Sequence, residues 1–215
     1  MSSLPKFLLR AFCAGVLVFS AIPGPSVSRP QPSFNNKVNQ GGARDERLHL
    51  ALQTLLRAGD IPMPEKADGV ATAMKRASQA YNVPISYLMA MVDVESKFDL
   101  AARSNMGAVG LAQIMPATAR TMDQAGWAPA APESLMEPEA SVLYGAAYLA
   151  YLRRNYRNWG AVFTVYNMGP GNYQVHQAAT EDGVVINDYA LAVQHSQVRW
   201  DRYLSGKGPA PCPVE

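Results

Sequence analysis

The chain has 215 residues and a hydrophobic share of 48%, enough apolar material for one packed domain with extensions and too much for a disordered chain. A formal charge of +2, with Lys and Arg scattered along the chain, argues against a nucleic-acid partner, which would require a basic patch. Three isolated histidines (His49, His176, His195) and two distant cysteines (Cys13, Cys212) offer no ligand spacing, so no metal site is expected.

In chain order, Lys6 and Arg10 precede an apolar run from Ala11 to Ile22, followed by small residues and prolines. That is the layout of an export signal, with cleavage near Ser20 or Ser28. The run falls short of the about 20 apolar residues wanted for a spanning helix, although an uncleaved anchor is the alternative. Cys13 lacks the small residues that a lipid-attachment site would place before it. Signal removal would leave Cys212 alone, so no internal disulfide is expected and packing must supply the stability.

Residues 1–28 are therefore read as signal peptide or anchor, 29–44 as a flexible Pro- and Gly-rich linker, and 45–65 as an amphipathic helix and its connection. That helix, in "DERLHLALQTLLRAG", places Leu48, Leu52, Leu55 and Leu56 on one face, is expected to end at Gly59 and should pack on the domain. A compact, mainly helical domain is expected over 66–204, with a tail over 205–215. Its helices are expected at Ala67–Tyr81, Pro84 toward Ser96, Pro116 to Ala125, Ala140–Tyr156, Ala161–Met168 and Asn187–Tyr203. The fifth is stopped by "GPG", and Pro84 takes the first helical position of the second. The only candidate extended pieces are "SNMGAVGLAQI" and "GVVI", so any β element is very small.

"VDVESKFDLAARS" holds three carboxylates, and most carboxylates are solvated surface charges. Ile85, Leu88, Val92 and Glu95 recur at helical spacing, so Glu95 extends an apolar stripe. A carboxyl held in a poorly hydrated place has a raised pKa, as a general acid near neutral pH requires. Asp93 lies on the opposite face and is expected to be solvated, and Asp99 is expected in a turn or cap. Downstream, "SNMGAVGLAQIMPATA" supplies glycines and the amide of Gln113, and "VYNMGPGN" sets Tyr166 and Asn167 just before a helix stop.

Together and in this order, these segments resemble the lytic transglycosylase family of the soluble, goose-lysozyme-like type. "ESKFDLAARSNMGAVGLAQIMPATA" is similar to its Glu-Ser and Gly-Leu-Met-Gln motifs, "VYNMGPGN" to its Ala-Tyr-Asn-Ala-Gly motif, and "DYALAVQ" to a following Tyr-Val segment. The likeness runs from about Val70 to Tyr203. It implies a mainly α, lysozyme-like fold with a long cleft for peptidoglycan glycan strands, acting through a single acid/base that aligns with Glu95. Ser96 completes the Glu-Ser pair. Ser104, Gln113, Tyr166 and Asn167 align with residues that position sugar and acid, Met115 with a cleft-lining residue, and Tyr189 with the Tyr of the last motif. The departures are Ala112 for Met, Leu100 for Pro, and Val165 and Met168 for Ala, which alter volume rather than reactive groups.

The implied reaction breaks the bond between N-acetylmuramic acid and N-acetylglucosamine without water, metal or cofactor, closing a 1,6-anhydro ring. The alternatives are a hydrolytic muramidase on the same fold, with Asp99 or another acid activating water, and a glycan-binding module without turnover. The expected setting is exported and periplasmic, as a monomer, with membrane contact only if the N-terminal segment is retained. Local wall opening for a secretion or conjugation apparatus suits it, as do wall turnover and a phage-borne role.

Overall fold

A computed structural model describes residues 42–128, 135–180 and 183–211. The signal or anchor, nearly all of the linker and Cys212 lie outside the described residues. Within them, α1 (Ala43–Leu55) is followed by a two-residue hairpin of β1 (Arg57–Ala58) and β2 (Ile61–Pro62), and then by a 3-10 turn at Pro64–Lys66. Then come α2 (Ala67–Tyr81), α3 (Ile85–Glu95), α4 (Pro116–Gln124), α5 (Pro138–Asn155), α6 (Trp159–Met168), α7 (Pro170–Ala178) and α8 (Asp188–Leu204). The fold is mainly helical, and the antiparallel pair β1–β2 is its one named sheet among the described residues.

α3 is the central element. Leu88, Met89, Ala90, Met91 and Val92 are all fully buried, because the segment is apolar almost all round and is enclosed by α8, α2 and α5. Each such large side chain contributes about 1.5–3 kcal/mol on leaving water. α2 ends at Asn82, which takes the left-handed conformation (φ 53°), and Pro84 follows as the cap of α3 rather than its first helical residue. α1 packs through Leu48, Ala51 and Leu52. Its Arg47 Nε donates to the Leu204 carbonyl (3.1 Å), and its Arg47 carbonyl accepts from Tyr203 Oη (3.1 Å), so the first and last helices are joined.

Several sequence expectations are corrected. The first helix stops at Leu55, not Gly59, because the chain turns through Gly59 (φ 60°) to pair Arg57 with Pro62. "GVVI" forms no strand where it is described. "SNMGAVGLAQI" forms only isolated bridges, Arg103 with Val109 and Val109 with Ile114. "GPG" ends α6 at Gly169 (φ 81°) but also begins α7, with Pro170 at its first position. Asp93 is 2% exposed rather than solvated. The face opposite the apolar stripe is covered by α8, a contact that helical periodicity cannot reveal.

Candidate active site

Glu95 is the last residue of α3, and the chain leaves that helix through an unusual turn. Lys97 (φ 52°) and Phe98 (φ 61°) are both left-handed, a conformation that costs a non-glycine residue about 1–3 kcal/mol. Burial holds the turn in place. Phe98 is fully buried with its ring edge-on to Trp200 (5.7 Å), and the Phe98 carbonyl and Leu100 amide bond to the backbone of Arg57. Asp99 Oδ1 accepts from the amides of Gly59 and Ala101, both at 2.9 Å, which makes Asp99 the turn residue expected from sequence. The Ser96 hydroxyl donates to the Val92 carbonyl (3.1 Å), finishing the helix.

The Glu95 side chain is partly accessible, yet burial of its carboxyl pushes the pKa from 4.5 up to about 8. Tyr189 Oη, near the start of α8, donates to Glu95 Oε1 at 2.5 Å and offsets part of that rise by favouring the charged form. At neutral pH the carboxyl is therefore mostly protonated, by roughly ten to one.

A second segment, 102–115, is folded tightly on itself. Ser104 Oγ accepts from the Ala108 amide (2.9 Å), and the Gln113 amide nitrogen donates to the carbonyls of Ala102 (3.1 Å) and Gly110 (2.9 Å). Gln113 itself is left-handed (φ 47°) and 8% exposed. Ala112 is held at both backbone atoms: its amide donates to Ser141 Oγ of α5 (3.0 Å), and its carbonyl accepts from Tyr166 Oη of α6 (2.8 Å). Gly110 (φ 72°) has no room for a side chain, since a Cβ there would meet the Leu135 carbonyl and Ser141. Met115 caps α4 and is partly exposed.

The residues singled out from sequence thus fall into groups. Glu95 and Tyr189 are in direct contact. Gln113 and Tyr166 shape the 102–115 segment from within and from α6, with Tyr166 only 7% exposed. Asn167 Oδ1 accepts from Asn187 Nδ2 (3.0 Å), which ties the end of α6 to the start of α8. Asn187, missed from sequence as a site residue, also caps α8 by accepting from the Ala190 amide (2.9 Å), and its own amide donates to Thr164 Oγ (3.2 Å). An Asn just before "DYALAVQ" is a legible capping signal. Ser141 and Phe98, also missed, carry no signal in the sequence that separates them from ordinary core residues.

Fold and site together define a lysozyme-like helical domain with a carboxyl of raised pKa, Glu95, at the end of its central helix. The family model described as "Transglycosylase SLT domain" matches residues 72–184, and the chain belongs to that family. Tyr189 and all of α8 lie beyond the matched stretch. Among curated relatives, a membrane-bound lytic murein transglycosylase C of Edwardsiella ictaluri is 30% identical over 141 residues, 60% of this chain and 39% of that one. A soluble lytic murein transglycosylase of Escherichia coli is 36% identical over 101 residues, 45% of this chain and 16% of that one. The chain thus spans well under half the length of either relative. Of solved structures, the 70 kDa soluble lytic transglycosylase of Escherichia coli superposes with a TM-score of 0.55 and 27% identity over 65% of this chain and 25% of that one. A lytic transglycosylase of Pseudomonas aeruginosa, solved as an inactive mutant with Gln in place of Glu, gives 0.52 and 25% over 66% of this chain and 25% of that one.

Proposed function

We propose that this chain is a peptidoglycan lytic transglycosylase. In this reading it cleaves the β-1,4 bond between N-acetylmuramic acid and N-acetylglucosamine and leaves 1,6-anhydro-muramic ends. The observation that carries this reading is Glu95, a carboxyl with its pKa raised to about 8 and a tyrosine hydroxyl at 2.5 Å. Membership of the transglycosylase family supports it, as does the inactivity of the Glu-to-Gln mutant of the Pseudomonas relative.

Protonated Glu95 donates its proton to the bridging oxygen as the bond breaks through an oxocarbenium-like state, with the substrate's 2-acetamido group stabilising the electron-poor carbon. The resulting carboxylate takes the proton of the muramic 6-hydroxyl, whose oxygen closes the anhydro ring, and the acid is regenerated. Tyr189 steadies the carboxylate between the two transfers. Ser96, Ser104, Gln113, Met115, Tyr166 and Asn167 shape and line the place where the sugars bind.

A hydrolytic muramidase would need a second carboxylate, about 5–5.5 Å from the first for retention and about 6.5–9.5 Å for inversion. The two nearest in sequence are otherwise engaged, Asp99 with the Gly59 and Ala101 amides and Asp93 beneath α8. That favours the single-acid route. The N-terminal layout adds export to the periplasm, and local wall opening for a secretion or conjugation apparatus is the setting proposed.

Mass spectrometry of fragments released from purified peptidoglycan tests the reading. Anhydro-muramic ends are the expected product. Reducing muramic ends would establish the muramidase instead, and no release at all would leave only a glycan-binding module.

A further inference from the structure

Asp93 is a carboxylate in a place where carboxylates are costly. It is 2% exposed, with Ser196 Oγ donating to its Oδ2 at 2.5 Å and Arg199 beside the same oxygen at 3.4 Å, while its Oδ1 makes no hydrogen bond and faces the Lys97 ammonium at 3.7 Å. Such a partly satisfied buried group stabilises a fold poorly, and an apolar residue of similar shape often does as well or better. Its contacts with Ser196 and Arg199 tie α3 to α8.

α8 crosses α3 in the antiparallel sense through four side-chain bonds: Tyr189 to Glu95, Ser196 and Arg199 to Asp93, and Gln197 Nε2 to Ser86 Oγ (3.2 Å). Tyr189 and Ser196 are two turns apart and share one face of α8. Beside them Ala190, Val193 and Trp200 are buried and add close apolar packing to the same helix pair. At its start, α8 is pinned by Asn187, but to Asn167 and Thr164 of α6. Asp93 lies on the same helix as Glu95, two residues before it.

We propose that Asp93 and Ser196 are a positioning pair for the acid: they fasten α8 to α3 so that the Tyr189 hydroxyl stays against Glu95. The proposal rests on the reading of Glu95 as the acid only for its kinetic arm. The charged groups around Glu95 are few. Asp93 lies on its own helix, Lys97 in the turn just after it, and Tyr189, His195 and Arg199 on α8, with His195 exposed. On α2, Lys75 is paired with Asp45 and Asp68 with His49, and on α5 Arg153 lies over the Trp159 ring.

The test compares Ser196→Ala, Tyr189→Phe and the double variant by two readouts, turnover of peptidoglycan and an NMR titration of the 13C-labelled Glu95 carboxyl. Loss of the Tyr189 bond removes a contact that favours the charged form, so the Glu95 titration should move upward in both single variants. Ser196→Ala should lower kcat about threefold to tenfold with KM unchanged, and should add nothing once Tyr189 is Phe. A Ser196→Ala protein with the wild-type titration and kcat, or effects that add in the double variant, overturns the proposal. Asp93→Asn keeps the shape but removes a negative charge near Glu95, so it is read by turnover alone: kcat should fall as in Ser196→Ala, and a lowered Tm with unchanged kcat overturns the proposal equally. Should the buried variants fail to fold, Arg199→Gln, at an exposed site, loosens the hold on Asp93: an upward shift of the Glu95 titration that disappears in the Tyr189→Phe background is expected, and a wild-type titration, or a shift that persists in that background, overturns the proposal. If Glu95→Gln keeps its turnover while the titration coupling persists, the acid assignment fails and the positioning pair stands.

Discussion

Tyr189 and Glu95, 94 residues apart in sequence, meet through a hydrogen bond of 2.5 Å that joins the start of α8 to the end of α3. Two opposing influences therefore act on one carboxyl: burial raises its pKa and the tyrosine lowers it, and burial wins. An acid with a pKa of about 8 can hold its proton at neutral pH and still release it to a leaving oxygen.

The pH dependence of turnover follows directly. The protonated form starts the reaction, so kcat/KM should stay level through neutral pH and fall above about pH 8, the value to which burial raises the carboxyl of the free protein. Initial rates of fragment release across the range, at substrate well below saturation, give the limb. A fall centred near the ordinary value of 4.5 would show that the carboxyl is not desolvated.

Replacing Glu95 by Gln separates activity from stability. Turnover should drop by about a hundredfold to ten-thousandfold with loss of the proton donor. Stability should move the other way. Because the folded-state pKa lies above the unfolded one, the wild type loses stability as pH rises from 4.5 through about 8, by a few kcal/mol at most, whereas the amide does not titrate. The Tm of Glu95→Gln should therefore pull ahead of wild type across that interval. An equal gap at both ends would contradict the burial argument.

Much of this was legible in the chain, and the misses have physical reasons. The limits of α2 and α8 follow from apolar spacing and from Asn at their ends, and Glu95 stood out because it continued the stripe of Ile85, Leu88 and Val92. Asp93 was misjudged because periodicity tells which residues share a face, not which element covers that face. Position relative to a distant helix is a property of the whole fold, and α8 arrives a hundred residues later. Tyr166 is singled out from the sequence through its motif, but that motif does not say where its hydroxyl goes: it is turned to the Ala112 carbonyl, a pairing across 54 residues that no local pattern encodes.

That pairing predicts a cost for Tyr166→Phe. The variant keeps the ring, its packing on Tyr148 (5.3 Å) and nearly all its volume, but leaves a buried carbonyl without this donor. About 1–3 kcal/mol of stability should go, read by urea or thermal unfolding. Because Ala112 precedes Gln113 in the 102–115 segment, turnover should fall as well. Unchanged stability together with unchanged turnover would remove Tyr166 from the site.

Gly145 offers a sign test. Gly→Ala inside a helix ordinarily stabilises by about 1 kcal/mol through backbone entropy. On α5, however, a Cβ at 145 would lie 2.7 Å from the Ala112 Cβ and 2.8 Å from the Met91 Cε. The end of the Met91 side chain can yield. Ala112 cannot, because its amide is tied to Ser141 and its carbonyl to Tyr166. Gly145→Ala should therefore destabilise, by about 1–3 kcal/mol as for other overpacked sites, and should disturb the Gln113 segment enough to lower kcat. Pairing it with Ala112→Gly removes the second methyl and should restore part of both losses. A Gly145→Ala protein more stable than wild type would mean that α5 and the 102–115 segment are packed less closely than 2.7 Å implies.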